Sequence, residues 1–116
     1  MGTTPVSVSE VTPETFASEI QASSVVVVEI WGPKCRYCLA LMPQVEKLAQ
    51  RYAGRAKLVT LDSSKFRNFC LDLKVVSLPT FLFFRGGKEI QRLSGSTLRI
   101  ESIEAVLRGS VGQAAM

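Results

Sequence analysis

The sequence predicts an α/β fold in which a central mixed β-sheet of about five strands is flanked by about four helices on its two faces. Strand-like and helix-like patterns alternate through roughly the first two thirds of the 116 residues, which calls for parallel strands joined by helical crossovers. Two further strand-forming runs then meet at Gly86-Gly87, a hairpin turn that adds antiparallel strands to the sheet. Alternation followed by a hairpin makes the sheet mixed and leaves helices to cover both faces.

Each element has its own warrant. Val6 and Val8 alternate with serines as a short half-buried strand. Thr12-Pro13-Glu14 follows, with a capping threonine and a proline at the first helical position, and Phe16 and Ile20 give that helix its inward face. Val25 to Trp31 is β-branched, almost wholly apolar and bounded by Ser23-Ser24 and Gly32-Pro33, as a central strand covered on both faces should be. Helical spacing then sets Leu39, Met42, Val45, Leu48, Ala49 and Tyr52 near one face, with Gly54 as a stop signal and Pro43 as an internal kink. Lys57 to Leu61 reads as a strand, and Ser63-Ser64 as the cap of a short helix whose inward residues are Phe66, Phe69, Cys70 and Leu73. Thr80 to Phe84 and the segment carrying Ile90 and Leu93 form the hairpin. From Thr97 onward, Ile100, Ile103, Val106 and Leu107 recur at helical spacing.

With 47% apolar residues, a chain of this length supports one core, so residues 1–116 are expected to form one domain. Its folded part is expected over about 6–108, with 109–116 as a flexible tail because that stretch carries little apolar content. A net charge of +4 spread along the chain excludes an obvious nucleic-acid surface. Val25 to Val28 is too short to cross a bilayer, and the N-terminus lacks the pattern of a secretory leader, so a soluble cytoplasmic monomer is expected.

The chemistry is concentrated in Cys35-Arg36-Tyr37-Cys38. The thiols stand three residues apart at the start of the long helix, so they share a face, and Cys35 occupies the end where free N–H groups favour an anion. The thiolate is the attacking species, and a helix N-terminus with nearby cations brings a cysteine pKa from about 8.5 to roughly 3.5 to 7.5. Lys34 and Arg36 supply those cations. Cys35 is thus expected to attack a client disulfide, and Cys38, one turn deeper, to displace the product. Glu29, a lone carboxylate in the central apolar strand, is the candidate base for Cys38, because burial raises its pKa toward the working range. Zinc is the competing reading of a Cys-x-x-Cys. It requires four ligands, and this chain has no histidine and only Cys70 as a further thiol, which reads as a core residue.

Val28-Glu29-Ile30-Trp31, Cys35-Arg36-Tyr37-Cys38, Pro43, Ser77-Leu78-Pro79-Thr80, Gly86-Gly87 and Gly95 together resemble the thioredoxin family, a likeness that covers about Val6 to Val106. The resemblance implies the thioredoxin fold, with Glu29 as the buried acid, Pro43 as the kink of the active-site helix and Pro79 as a cis proline facing the dithiol. It further implies that the Leu78 backbone pairs with an extended client segment, with Ser77 and Gly95 lining the same groove. Trp31 is expected as a packed wall behind the dithiol, at the edge of the client-binding region. Tyr37 has two readings, a solvent-facing aromatic or a client contact in place of a missing tryptophan.

Three departures from the family pattern bear on chemistry. Lys34-Cys35-Arg36-Tyr37-Cys38 replaces the usual Trp-Cys-Gly-Pro-Cys, Glu29 stands in place of aspartate, and Thr60 stands where many members carry a lysine that pairs with the buried acid. Arg36 should stabilise the reduced thiolate and make the disulfide a better oxidant. The function expected is protein-disulfide reduction with no cofactor beyond the Cys35-Cys38 disulfide. The partners expected are disulfide-bearing clients and an external flavoprotein or ferredoxin-linked reductase, since the chain has no Gly-x-Gly-x-x-Gly of its own. A glutaredoxin-like or isomerase-like exchange and a non-catalytic binding module are the alternatives.

Overall fold

The computed structural model describes residues 8–114. In chain order they form β1 (Val8–Glu10), α1 (Pro13–Glu19), β2 (Val25–Trp31), α2 (Arg36–Arg51), β3 (Lys57–Asp62), α3 (Arg67–Asp72), β4 (Thr80–Arg85), β5 (Lys88–Ser94) and α4 (Ile100–Ala114). The five strands make one sheet in the order β1-β3-β2-β4-β5. β2 runs parallel to β3 and antiparallel to β4, so the sheet is mixed as the pattern predicts. Val6, at the start of the first expected strand, lies outside the described residues.

β2 occupies the centre because its residues can be buried on both faces. Alternation along the strand sends Val25 and Val27 into a cluster with α2 and α4, where they meet Leu41, Val45, Leu48, Ile103 and Leu107. Val26, Val28 and Ile30 enter the opposite cluster with Phe16 of α1 and Cys70 of α3. α1 begins as its sequence demands: the Thr12 side chain accepts from the Thr15 N–H, Thr15 reciprocates, and Pro13 fills the first turn. In α2, Pro43 is exposed and has no N–H to give the Leu39 carbonyl, yet the helix persists to Arg51 because its other face is anchored in the core. The α2 and α4 helices are also tied at their surface, where Arg51 donates twice to Glu104 at 2.8 Å and Tyr52 donates to the same carboxylate at 3.1 Å.

Three expectations are corrected. The inward stripe of α2 runs through Cys38, Leu41, Val45, Leu48 and Ala49, and Leu39 is 44% exposed. Steps of three and four residues from Val45 reach Leu41 and Cys38, whereas steps of three alone drift round the helix to Leu39. Ser63 and Ser64 do not cap α3, whose N-cap position is held by Phe66 without a side-chain bond. Ser64 instead donates its N–H and hydroxyl to Asp62 at 2.9 and 2.7 Å, closing an Asx-type turn that competes with capping. Finally, residues 109–114 do not form the expected flexible tail. α4 continues to Ala114, with Ser110 and Val111 buried and the Ser110 hydroxyl donating to the Val106 carbonyl at 2.8 Å. Val111 extends the Ile103 and Leu107 stripe by one further turn, so the helix gains apolar contact by continuing.

Candidate active site

The site forms where β2 ends. Gly32, Pro33 and Lys34 turn the chain out of the sheet, the Cys35 N–H closes the turn on the Gly32 carbonyl at 3.0 Å, and Cys35 becomes the N-cap of α2. Its Sγ takes the place of a capping oxygen, accepting from the Cys38 N–H at 3.2 Å. Cys35 and Cys38 are joined as a disulfide across a Cα separation of 5.2 Å. The two sulfurs have different surroundings: Cys35 is half-buried, whereas Cys38 is 0% exposed among the residues of the α2 core face.

A second loop faces this turn. The Leu78–Pro79 peptide bond is cis, Pro79 is buried, and the Thr80 hydroxyl donates to the Ser77 carbonyl at 2.7 Å. Gly95 donates its N–H to the Pro79 carbonyl at 3.0 Å with φ at 114°, a conformation that disfavours any side chain. Sequence reasoning read Gly32 only as the end of a strand. A Cβ there would lie 3.2 Å from Leu78 Cδ1, so any larger residue would make the Leu78 side chain shift by a few tenths of an ångström where the dithiol turn meets the proline loop.

Between them lies an open groove of about 710 Å³, bordered by Lys34 and Cys35 on one side, Arg67 and Leu71 of α3 on another, and Val76 and Leu78 of the proline loop. Ser77 lines it too. Trp31, Arg36, Tyr37, Pro79 and Gly95, all expected near the client-binding region, are not among its walls. Tyr37 is half-buried against the α2 and α4 cluster, which corrects its reading as a merely solvent-facing aromatic. Trp31 is half-buried with its Nε1 lacking a hydrogen-bond partner. Arg67, Leu71 and Val76 were missed at the sequence level. The signal present was the four-residue spacing of Arg67 and Leu71, which puts both on one face of α3.

Glu29 is 2% exposed, and neither carboxylate oxygen has a hydrogen-bond partner. Desolvation pushes its pKa up to about 7. Its neighbours in register are Thr60 on β3 and Phe81 on β4, neither of which offers a charge. By alternation with Val25 and Val27 it points to the sheet face that α2 covers, the face on which Cys38 is buried. Cys70 is buried in the opposite cluster while also bordering the groove, and burial, with Asp62 nearby, raises its thiol pKa. Among the described residues, no three or more His, Cys, Asp or Glu side chains gather where they could hold a metal ion.

A Cys-x-x-Cys disulfide at the N-terminus of a helix, leading directly from the central strand of a five-stranded mixed sheet, is the constellation of a dithiol–disulfide oxidoreductase. The comparisons place the chain within that class. The family model for thioredoxin matches residues 7–108, and the chain belongs to the thioredoxin family. It is 30% identical over 104 residues to the thioredoxin of Peptoclostridium acidaminophilum, a match covering 89% of this chain and 94% of that relative. Mitochondrial thioredoxin 3 of Saccharomyces cerevisiae, in its oxidised form, shares the fold with a TM-score of 0.80 and 21% identity over 90% of this chain and 96% of its own. A thioredoxin f2 solved in complex with ferredoxin:thioredoxin reductase has the same TM-score of 0.80 and 21% identity, over 89% of this chain and 94% of its own. The chain is accordingly a protein-disulfide reductase of the thioredoxin type.

Proposed function

We propose that Cys35 is the attacking thiol, Cys38 the resolving thiol and Glu29 the base that prepares it. The observation that carries this assignment is the unequal burial of the two sulfurs, since Cys35 borders the groove while Cys38 is sealed in the core face of α2. In the reduced protein the Cys35 thiolate attacks one sulfur of a client disulfide, forming a mixed disulfide and releasing the other client sulfur as a thiolate that takes up a proton. Cys38 then gives its proton to the Glu29 carboxylate and attacks the Cys35 sulfur. The client leaves with both sulfurs reduced, and the protein is left with the Cys35–Cys38 disulfide, oxidised by the same two electrons. With its pKa at about 7, Glu29 is about half ionised near neutrality and can both accept and return a proton.

Restoring the dithiol takes a two-electron donor. The thioredoxin f2 found with ferredoxin:thioredoxin reductase supports a dedicated external reductase for this chain, ferredoxin-linked or flavoprotein. The same reading has the protein acting as a cytoplasmic monomer on disulfide-bearing clients, with Lys34, Ser77 and the Leu78 backbone meeting the client and no further cofactor. Its support is the groove that borders Cys35 and, for a reducing compartment, the free thiol of Cys70.

The test is insulin reduction driven by dithiothreitol. The parent protein is expected to accelerate precipitation of the insulin B chain, Cys35→Ser to abolish the acceleration, and Cys38→Ser to accumulate a mixed disulfide visible by mass spectrometry. A mixed disulfide that builds up on Cys38 in the Cys35→Ser variant, and not on Cys35 in the Cys38→Ser variant, refutes the assignment.

A further inference from the structure

The groove beside Cys35 combines apolar and basic side chains on its walls. Of the four large hydrophobic residues left exposed among the described residues, two border it, Leu71 at 56% and Val76 at 90%. A side chain exposed to that extent gains by being covered, and single exposed residues are unremarkable until they adjoin a binding cleft. The charged side chains on its walls have one sign. Lys34 and Arg67 stand on its walls, no aspartate or glutamate does, and Lys65 continues the basic strip in the adjoining depression that shares Ser64 and Arg67. Asp62 lies just behind Ser63 and Ser64, but it is buried and accepts both the N–H and the hydroxyl of Ser64.

These cations are uncommitted. Arg51, Lys57, Arg92 and Arg99 have carboxylate partners, whereas Lys34, Lys65 and Arg67 have no ion-pair partner among the described residues. Arg67 and Leu71 share one face of α3, so a cationic and an apolar contact are offered side by side along one wall.

We propose that the groove is a selective docking surface for an extended protein segment whose disulfide cysteine is flanked by a carboxylate on one side and an apolar side chain on the other. The carboxylate lies between Lys34 and Arg67, and the apolar side chain covers Leu71 and Val76. The inference rests on Cys35 as the attacking thiol and adds to it the chemistry of the client that Cys35 meets. Opposite charge raises the encounter rate and fixes orientation, and it acts most strongly at low salt.

The experiment uses three synthetic peptides of equal length, each with one internal disulfide and a leucine beside one cysteine. The flanking residue on the other side is Glu, Gln or Lys. The fully reduced protein is mixed with each peptide at low ionic strength, and the rate of Cys35–Cys38 oxidation is followed by acid quench and mass spectrometry. The Glu peptide is expected to react about tenfold faster than the Lys peptide, equivalent to about 1.4 kcal/mol, with the Gln peptide between them. At about 1 M salt, where the screening length falls to about 3 Å, the ratio should approach one. Arg67→Glu should remove or invert the preference while Lys47→Gln, a charge change on α2 away from the groove, preserves it. Leu71→Ser should erase the advantage of a leucine-bearing peptide over its serine counterpart. Rates within twofold for all three peptides, or a preference unaltered by Arg67→Glu in a variant with unchanged circular dichroism, overturn the selectivity and leave the exchange chemistry standing. Failure of the reduced protein to react with any of the three overturns both.

Discussion

Replacing Glu29 with glutamine removes a charge from the centre of the sheet with little change of shape, and the cost of that charge can be worked out from its surroundings. The side chain is 2% exposed, has no hydrogen-bond partner on either oxygen, and releases its proton near pH 7 against an ordinary value of 4.5. Between those two values the unfolded chain holds fewer protons than the native protein, so stability falls as pH rises. The penalty is absent below about 4.5, where both states are protonated, and complete once pH has passed about 7. At about 1.4 kcal/mol per pH unit, the interval from 4.5 to about 7 amounts to about 3 kcal/mol. Glutamine carries no such penalty. Urea denaturation of the oxidised parent and oxidised Glu29→Gln at about pH 4 and about pH 8 measures it, and the disulfide keeps Cys35 and Cys38 from titrating. The variant is expected to gain about 3 kcal/mol on the parent between the two conditions. A stability difference that stays the same within about 0.5 kcal/mol across that range would refute the claim that Glu29 is desolvated without compensation. The same variant should slow resolution of the mixed disulfide above neutrality, where the carboxylate would otherwise be ionised.

Other outcomes follow from the same geometry. Val111→Asp places a charge in the buried last turn of α4 and should lower unfolding free energy by at least about 2 kcal/mol, which denaturant titration reads directly; an unchanged midpoint would return residues 109–114 to the status of a tail. In the oxidised native protein Cys70, buried and with its pKa raised, should react with an aromatic disulfide reagent far more slowly than in denaturant, where one thiol per chain appears at once. The double substitution Arg36→Gly, Tyr37→Pro removes the cation beside Cys35 and should make the couple more reducing in glutathione equilibration, with about 30 mV corresponding to about 1.4 kcal/mol; a potential equal to or higher than the parent's rejects that role for Arg36. Ile103→Ala, at a fully buried contact between α4 and the sheet, should cost about 2 to 5 kcal/mol by thermal or chemical unfolding.

The features legible in the sequence were those set by local chemistry. The Val25 to Val28 run announced a strand buried on both faces, Thr12-Pro13 announced the start of α1, and Gly86-Gly87 announced the hairpin, because each is governed by the conformational preferences of a few adjacent residues. The dithiol and the isolated Glu29 could be read for the same reason, since an ionisable residue in an apolar run and a Cys-x-x-Cys at a helix start carry their chemistry with them. What only the tertiary structure decided depends on residues far apart in the chain. α4 runs on to Ala114 because Val111 finds the core that Leu107 has already entered, a contact that local apolar content cannot register. Ser64 turns to Asp62, leaving α3 uncapped, because two competing local hydrogen-bonding arrangements differ little until the chain around them is placed. The groove itself joins Lys34, Arg67, Leu71 and Val76 from three separate segments, and the tight fit at Gly32 shows only once Leu78 Cδ1 stands 3.2 Å from where its Cβ would be. Sequence thus determined which reactive groups the chain carries, and packing between distant segments determined the groove that borders Cys35.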